Sequence, residues 1–215
     1  VSPGGRGAAR ADPARARVAG RPHRALGRPA AGALAAMTVI RFCYGALTVM
    51  VLMLCRYAWS DTESDGLALL GLAVGMSGAG FFVAAVLTPW AVGQLGRYGW
   101  IVGCAGAAAV LVPALGLSFA PVPMLIAAFV LGVVTQGSKI ATDTVVQTSV
   151  DDSFRGRVFS LYDVLFNVAF VSAAGVAALM LPPDGRSVAV VAVVSVLYAV
   201  VAVTMFRRRR TDAYR

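Results

Sequence analysis

Four polar residues recur along one stretch of the chain, at a spacing that brings them together on a helix. They are Gln136, Lys139, Asp143 and Gln147. At about 100° per residue they form one stripe about 80° wide. Lys139 and Asp143 are close enough to neutralise each other, whereas either charge alone at mid-helix costs about 2.5–3.5 kcal/mol to insert. The stripe therefore predicts a helix face that meets water or protein rather than lipid.

Two interpretations of this stripe follow from the behaviour of charges in membranes. In the functional one, the stripe lines the path of a substrate or ion, since ionisable residues inside a membrane face a cavity or one another. In the structural one, Lys139 extends from the helix end to the lipid headgroups and Asp143 neutralises it. Extension of Lys139 does not explain four polar positions in register, so the path is our prediction and the interfacial pair is its alternative.

A second polar side occurs in the next helical stretch. Asp163 and Asn167 lie on one side of it, and Arg155 and Arg157 precede them. In one interpretation, Asp163 and Asn167 extend the path. In the other, Asp163 forms a structural ion pair with Arg155 or Arg157. Arg41, in an earlier apolar run, is most simply an anchor to lipid headgroups.

Catalytic chemistry lacks its usual residues in this sequence. Gly75-Met76-Ser77-Gly78 has the form found around the serine of rhomboid-type intramembrane proteases, but such a serine needs a base. His23 is the one histidine of the chain and lies in a polar stretch, while Lys139 would lie at a different depth from Ser77. The lone histidine also argues against haem and zinc, and no phosphate-binding glycine–lysine loop occurs. We expect neither an enzyme nor a cofactor.

The composition indicates helices that cross a membrane. Of 215 residues, 59% are hydrophobic and 13% are charged, about half the charged share of soluble domains. Each crossing of a hydrocarbon layer about 30 Å thick takes about 20 residues. The apolar runs of this length are Thr38–Arg56, Gly66–Thr88, Trp100–Phe119, Pro121–Val145, Val158–Leu181 and Val188–Phe206. The predicted fold class is all-α, a polytopic membrane protein with six transmembrane helices in antiparallel succession.

Charge divides the chain into three parts and orients it. Seven arginines before residue 31 and five after residue 206 predict a basic, disordered cytoplasmic arm over residues 1–36 and a basic cytoplasmic tail over residues 207–215. Between them lies a six-helix domain, residues 37–206. Arginines near span ends mark the cytoplasmic side, and Arg97, Arg155 and Arg157 share a side with both termini. We expect a multi-pass protein of the cell membrane with both termini in the cytoplasm.

Small residues should bring the second and third spans close to their neighbours. Gly71 and Gly75 are four positions apart, as are Gly99 and Gly103. Such pairs let helices approach closely in lipid. We expect both pairs to face other helices of the same bundle, and the alternative is that they pair two copies of the chain.

Two loop sequences resemble a known family. Gly93-Gln94-Leu95-Gly96-Arg97-Tyr98-Gly99 is similar to the cytoplasmic G-x-L-x-D-R-x-G loop of the major facilitator superfamily, one residue shorter and without the aspartate. Arg155-Gly156-Arg157-Val158-Phe159-Ser160 resembles the entry to that family's eleventh helix. From Met37 to Arg210 the chain thus resembles the C-terminal six-helix half of a bacterial drug-efflux-like transporter. By this resemblance the candidates for cytoplasmic gating are Gly93, Arg97, Gly99, Arg155 and Arg157.

The resemblance implies a function and partners. It implies a secondary transporter that moves an unknown small molecule across the cytoplasmic membrane, with proton-coupled efflux as the finer expectation. Two six-helix halves enclose such a path, so the partner would be a missing N-terminal half or a second copy. A non-transporting membrane scaffold or a degenerate remnant is the alternative. The other partner is the lipid bilayer rather than nucleic acid, because the Arg207–Arg210 run directly follows the last span.

Overall fold

Six long helices make up the described part of the chain. The computed structural model describes residues 28–150 and 152–213, and it describes the side chains of residues 30–150 and 156–210. The helices are α1 (Arg28–Met53, continued by a π-helical turn over Leu54–Ala58), α2 (Glu63–Leu95), α3 (Arg97–Gly116), α4 (Pro121–Ser149), α5 (Asp152–Met180) and α6 (Val188–Ala213). Each is long and apolar enough to cross a membrane, which confirms the predicted all-α class and the six spans.

Short connections with defined chemistry separate the helices. Thr62 caps α2, its hydroxyl accepting a hydrogen bond from the Asp65 amide at 3.3 Å. Gly96 alone joins α2 to α3 with φ 75° and ψ 163°, a backbone conformation that only glycine adopts readily. Pro121 occupies the first turn of α4, where its missing N–H has no helical partner to lose. These tight links make neighbouring helices antiparallel.

Helix α4 lies at the centre of the bundle. It packs against α1, α2 and α3, while α6 packs against α3 and α1, and α5 lies chiefly against α1. In the most apolar window of each helix, 56% of α4 is buried, compared with 22% of α2 and 17% of α5. Helices α2 and α5 therefore carry large faces that the described residues leave uncovered.

Glycines do bring α2 close to α4, but at positions other than those predicted. A Cβ at Gly80 would overlap the Phe129 carbonyl, and one at Gly132 would overlap the Ser77 carbonyl, so the two backbones touch there. The prediction for Gly71 and Gly75 is wrong, because both face outward with nothing within 4 Å. Gly103 likewise has open space beside it, whereas Gly99 is buried. Glycines thus allow close helix packing as predicted, but those that do so lie on a different face of α2.

Several helices begin earlier or end later than predicted. Helix α1 starts at Arg28, and Ala30, Ala33 and Leu34 are buried against the bundle. Residues 28–36, predicted as part of a disordered arm, are thus helical, because alanines there find neighbours to pack on. Helix α6 similarly runs to Ala213 through most of the predicted tail. Residues 1–27 lie outside the described part.

Candidate functional site

The predicted ion pair of α4 is present. Lys139 Nζ donates to Asp143 Oδ2 at 2.9 Å, and the two side chains are 32% and 25% exposed. The other carboxylate oxygen, Asp143 Oδ1, is buried and accepts no hydrogen bond from the described residues. A buried acceptor without a donor is costly. The pair is therefore half-buried, and one of its carboxylate oxygens lacks a donor of standard hydrogen-bond geometry.

Arg41 lies in an aromatic cage rather than at the lipid headgroups. Its guanidinium carbon is 4.2 Å from the centroid of the Phe166 ring, 4.5 Å from that of Phe170 and 5.3 Å from that of Tyr44. Arg41 is thirteen positions beyond the start of α1, about 20 Å along the helix axis. The interpretation of Arg41 as a headgroup anchor is therefore wrong, because the early start of α1 moves this residue towards mid-span and α5 supplies the rings.

Lys139 shares an aromatic ring with Arg41. Its Nζ lies 6.0 Å from the centroid of Phe166 and 5.6 Å from that of Tyr162. The guanidinium of Arg41 and the ammonium of Lys139 thus both lie near the ring of Phe166. Tyr162 is 1% exposed. Its hydroxyl interacts with Asp143 as a hydrogen-bonding neighbour and with the charge of Arg41, although no hydrogen bond of standard geometry joins it to the described residues. Helices α1, α4 and α5 together position these groups.

We refer to Arg41, Lys139, Asp143, Tyr162 and Phe166 as the charge cluster. It holds two cations and one carboxylate. The described residues give Arg41 Nε, Asp143 Oδ1 and the Tyr162 hydroxyl no hydrogen-bond partner, although all three atoms are buried. Such groups attract a polar partner from outside the protein. Sequence reasoning missed the aromatic members Tyr162 and Phe166. Together with Phe170 they recur every four positions on one face of α5, and this periodicity is the signal that could have found them.

Other predicted site residues lie outside the charge cluster. Gln136 is half-buried and Gln147 is exposed. Asp163 and Asn167 are both exposed, and the Asn167 side-chain amide donates to the Asp163 backbone carbonyl at 2.8 Å. Asp163 forms no ion pair with Arg157, since six positions place them on different faces of α5 and the ion pairs of the described residues do not include them. The Arg155 side chain lies outside the described residues.

Two of the gating candidates, Arg97 and Gly99, lie at the start of α3, where α4 and α6 end. Arg97 Nη1 donates to Thr148 Oγ1 of α4 at 2.7 Å. A Cβ at Gly99 would lie 3.0 Å from Arg209 Nη1, so the basic end of α6 packs on the start of α3. Gly93 is exposed with open space beside it, and Arg157 is exposed at the start of α5. Two of the five candidates, Arg97 and Gly99, thus make contacts that join helices.

An apolar groove lies beside the charge cluster, between α1, α2 and α4. It encloses about 60 Å³ and is open on one side, and its lining includes Tyr44, Thr48, Ala73, Ser77 and Leu131. The Tyr44 and Ser77 hydroxyls are hydrogen-bonded at 2.9 Å. That contact gives Ser77 a phenol as its partner, and a phenol is too weak a base to activate a serine. The groove thus resembles a binding space more than a protease site.

These observations define a multi-pass α-helical membrane protein that holds charged side chains inside its bundle. Two known proteins are similar to the chain: an uncharacterized MFS-type transporter of Mycobacterium bovis and one of Mycobacterium tuberculosis. Each is 35% identical over 169 residues, which cover 78% of this chain and 38% of the relative. No protein-family model and no solved structure matches the chain.

The chain belongs to the major facilitator superfamily. It spans less than half the length of the relatives it matches, consistent with one six-helix half of such a transporter. Both relatives are named as transporters.

Proposed function

We propose that this chain is the six-helix half of a secondary transporter that moves a small organic molecule across the cell membrane, with the charge cluster on its path. One observation carries the proposal. The Lys139–Asp143 pair lies half-buried beside Arg41, in a helix that is otherwise packed tightly, with a buried carboxylate oxygen left unsatisfied. Charges retained inside a membrane bundle mark substrate or proton pathways.

The arrangement of helices supports a half rather than a complete transporter. The groove and the charge cluster both lie along the seam between α1 and α4, which α2 borders on one side and α5 on the other. Helices α2 and α5 are also the least covered. A second six-helix half, or a second copy of the chain, would cover these faces and enclose the seam.

Proton coupling and the direction of transport are the finer parts of the proposal. Asp143 supports coupling, because a carboxylate beside a lysine can exchange a proton as the neighbouring charges change. Efflux is supported by the resemblance of the two loop sequences to drug-efflux-like transporters. The basic residues at the starts of α3 and α5 and at the end of α6 support a cytoplasmic location of both termini.

Water access along α4 tests the path. Single cysteines would be placed at Gln136, Asp143 and Gln147, and at the buried positions Val134, Ala141 and Val145, in a chain lacking Cys43, Cys55 and Cys104. A membrane-permeant methanethiosulfonate should react faster on the stripe, because thiolate formation needs water. Gln136 is the decisive position, since its replacement leaves the ion pair intact. Equal, slow reaction on both faces would contradict the path, and fast reaction at Gln147 alone would favour the interfacial pair.

Dye accumulation tests transport itself. Cells that lack their own major efflux pumps would express the complete reading frame that contains this chain, or its Asp143→Asn variant. The cells with unchanged Asp143 should accumulate less of at least one of two dyes, cationic ethidium or anionic fluorescein, and a protonophore should abolish the difference. Identical accumulation of both dyes in the two cell types would favour the scaffold alternative.

A further inference from the structure

We infer that the charge cluster recognises an organic anion, with the acidic group of the substrate on Arg41 and its apolar body in the neighbouring groove. The inference rests on the proposed function and names the substrate class of that site. It follows from the sign of the charge in the cluster and from the cations that already contact its aromatic rings. It follows also from Tyr44, which contacts Arg41 and lines the groove.

The charge in the cluster is unbalanced. Arg41 and Lys139 supply two positive charges to one carboxylate, Asp143, and the Lys139 ammonium already uses one oxygen of that carboxylate. Asp163 also interacts with Tyr162, but it is exposed on the neighbouring face of α5. Among the described residues Arg41 has no ion pair and its buried Nε has no acceptor. An unneutralised cation in a bundle that crosses lipid is costly unless an anion joins it.

The aromatic faces of the cluster are already occupied by cations. Arg41 lies over Phe166 and Phe170, and Lys139 lies near Tyr162 and Phe166. A cationic substrate could bind these rings only by displacing a protein cation, against the repulsion of the other. A guanidinium stacked on a ring instead keeps its N–H donors in the plane, free for the two oxygens of a carboxylate. The cluster therefore favours an anion and disfavours a cation.

The groove provides space for an apolar body next to that charge. Arg41, Tyr44, Thr48 and Val51 follow one stripe of α1, and the last three line the groove. On α4, Leu131 of the groove and Lys139 of the cluster are eight positions apart on the same face. The groove encloses about 60 Å³ and is otherwise open, so an apolar body would lie along its surface rather than inside a closed pocket. An amphipathic acid, apolar at one end and ionised at the other, fits this arrangement.

Ligand-dependent thermal unfolding tests the inference in detergent-solubilised protein. The buried thiols Cys43, Cys55 and Cys104 report unfolding to a thiol-reactive fluorogenic maleimide. The probes are 2-naphthoate, neutral 2-naphthamide and cationic 2-naphthylmethylammonium at equal ionic strength. All three carry the same naphthalene ring and differ mainly in charge. At saturating concentration 2-naphthoate should raise the unfolding midpoint by about 3–6 °C, and the other two probes should not.

Two substitutions at Arg41 and one control separate binding from folding. Arg41→Gln should abolish the shift produced by 2-naphthoate, and Arg41→Lys should retain part of it, because the charge remains without the planar donors. Arg56→Gln, at the exposed pair with Glu63, should leave the shift unchanged. Loss of the shift in Arg41→Gln with an unchanged shift in Arg41→Lys would support a charge-only site, and this also requires an anion.

The outcomes distinguish this inference from the proposed function. A shift with the ammonium probe and none with 2-naphthoate would overturn the anion assignment, as would no shift with any probe in folded protein. If the cysteines on the stripe react fast with the thiol reagent and 2-naphthoate does not raise the unfolding midpoint, the results support the path and contradict the anion assignment. If 2-naphthoate binds and the stripe is dry, the site binds anions but does not lie on a transport path.

Discussion

The Lys139–Asp143 pair stabilises the bundle only while both charges are present. The salt bridge of 2.9 Å neutralises charges that would each be costly inside a membrane. The neighbouring cation Arg41 makes the two partners unequal, because loss of Asp143 leaves two positive charges around the Phe166 ring. Loss of Lys139 leaves Arg41 and Asp143, which are opposite in sign.

Alanine substitutions at this pair should therefore be unequal and non-additive. We expect Asp143→Ala to destabilise the protein more than Lys139→Ala does, by up to about 3 kcal/mol, and the double variant should recover part of the loss. The measurement is the yield of monodisperse protein and its unfolding midpoint. Arg56→Ala is the matched control, since an exposed pair contributes at most about 1 kcal/mol. Additive losses in the double variant would show that the two charges act independently.

At this scale the sequence could predict contacts within one helix. A spacing of four residues places Lys139 beside Asp143 on any α-helix, and the pair is confirmed. The cage around Arg41 could not be predicted in the same way, because Phe166 and Phe170 come from a helix more than a hundred positions later. Which helix packs on which is a tertiary property, and spacing along the chain does not report it.

The crossing of α2 and α4 brings two helix backbones into direct contact. The backbone of α4 fills the space where a Cβ of Gly80 would lie, and the backbone of α2 fills the space where a Cβ of Gly132 would lie. Lipid provides no hydrophobic driving force between helices, so close packing of this kind stabilises their association. The buried stripe of α2 continues the contact with further small residues, Ala73, Ser77, Ala84, Thr88 and Ala91.

A methyl group at this crossing should push the helices apart. Gly80→Ala and Gly132→Ala should each destabilise the protein by about 1–3 kcal/mol, because the obstructing atoms are backbone and cannot rotate away. Gly75→Ala is the matched control on the same helix. It has nothing within 4 Å and should be neutral or stabilising, by up to about 1 kcal/mol from helix propensity. Equal unfolding midpoints for Gly80→Ala and Gly75→Ala would refute the contact.

The one-residue link between α2 and α3 should also require glycine, here because of its backbone conformation. Gly96 has φ 75° and ψ 163°, so Gly96→Ala should cost about 1–3 kcal/mol in backbone strain. Gly93→Ala, three positions earlier in α2 with open space beside it, should be tolerated. Thermal unfolding of the two variants would measure the difference. A harmless Gly96→Ala would mean that the link adopts another conformation.

Hydrophobic runs predicted the helices well and their interfaces poorly. Run length and turn residues locate all six spans, because each must cross a layer of fixed thickness. The glycine pairs did not reveal the contact faces, since Gly71 and Gly75 show the same spacing as a packing motif but face outward. In a membrane both the lipid-facing and the buried face of a helix are apolar, so periodicity does not separate them.

Charge is divided between the two ends of the whole bundle. One end carries Arg97, Arg157 and the Arg207–Arg210 run, and the last of these packs back on α3 through Arg209. The opposite end carries Asp61, Glu63, Asp65 and Asp184, accompanied by Arg56 and Arg186. There the indole of Trp59 donates to the Phe119 carbonyl at 2.8 Å, which joins two of the loops. The asymmetry predicts which end lies in the cytoplasm.

Cysteine labelling in intact cells tests this orientation. The reporters for the acidic end are Ser64 and Asp184, which are exposed, and those for the basic end are Gly93 and Gly156, which are exposed with open space beside them. Gly96 and Gly185 are unsuitable, because both have positive φ, and a Cβ at Gly185 would lie 2.7 Å from Met53 Cβ.

In a background lacking Cys43, Cys55 and Cys104, a membrane-impermeant maleimide should label the acidic-end reporters in intact cells. The basic-end reporters should react only after the cells are opened, because arginine-rich loops remain on the cytoplasmic side. A reporter at each end serves as the control for the other, since both require a correctly inserted chain. Labelling of Gly93→Cys in intact cells with protection of Ser64→Cys would reverse the topology. It would place the Arg97–Thr148 contact outside the cell, and the cytoplasmic gating role of these residues would be lost with it.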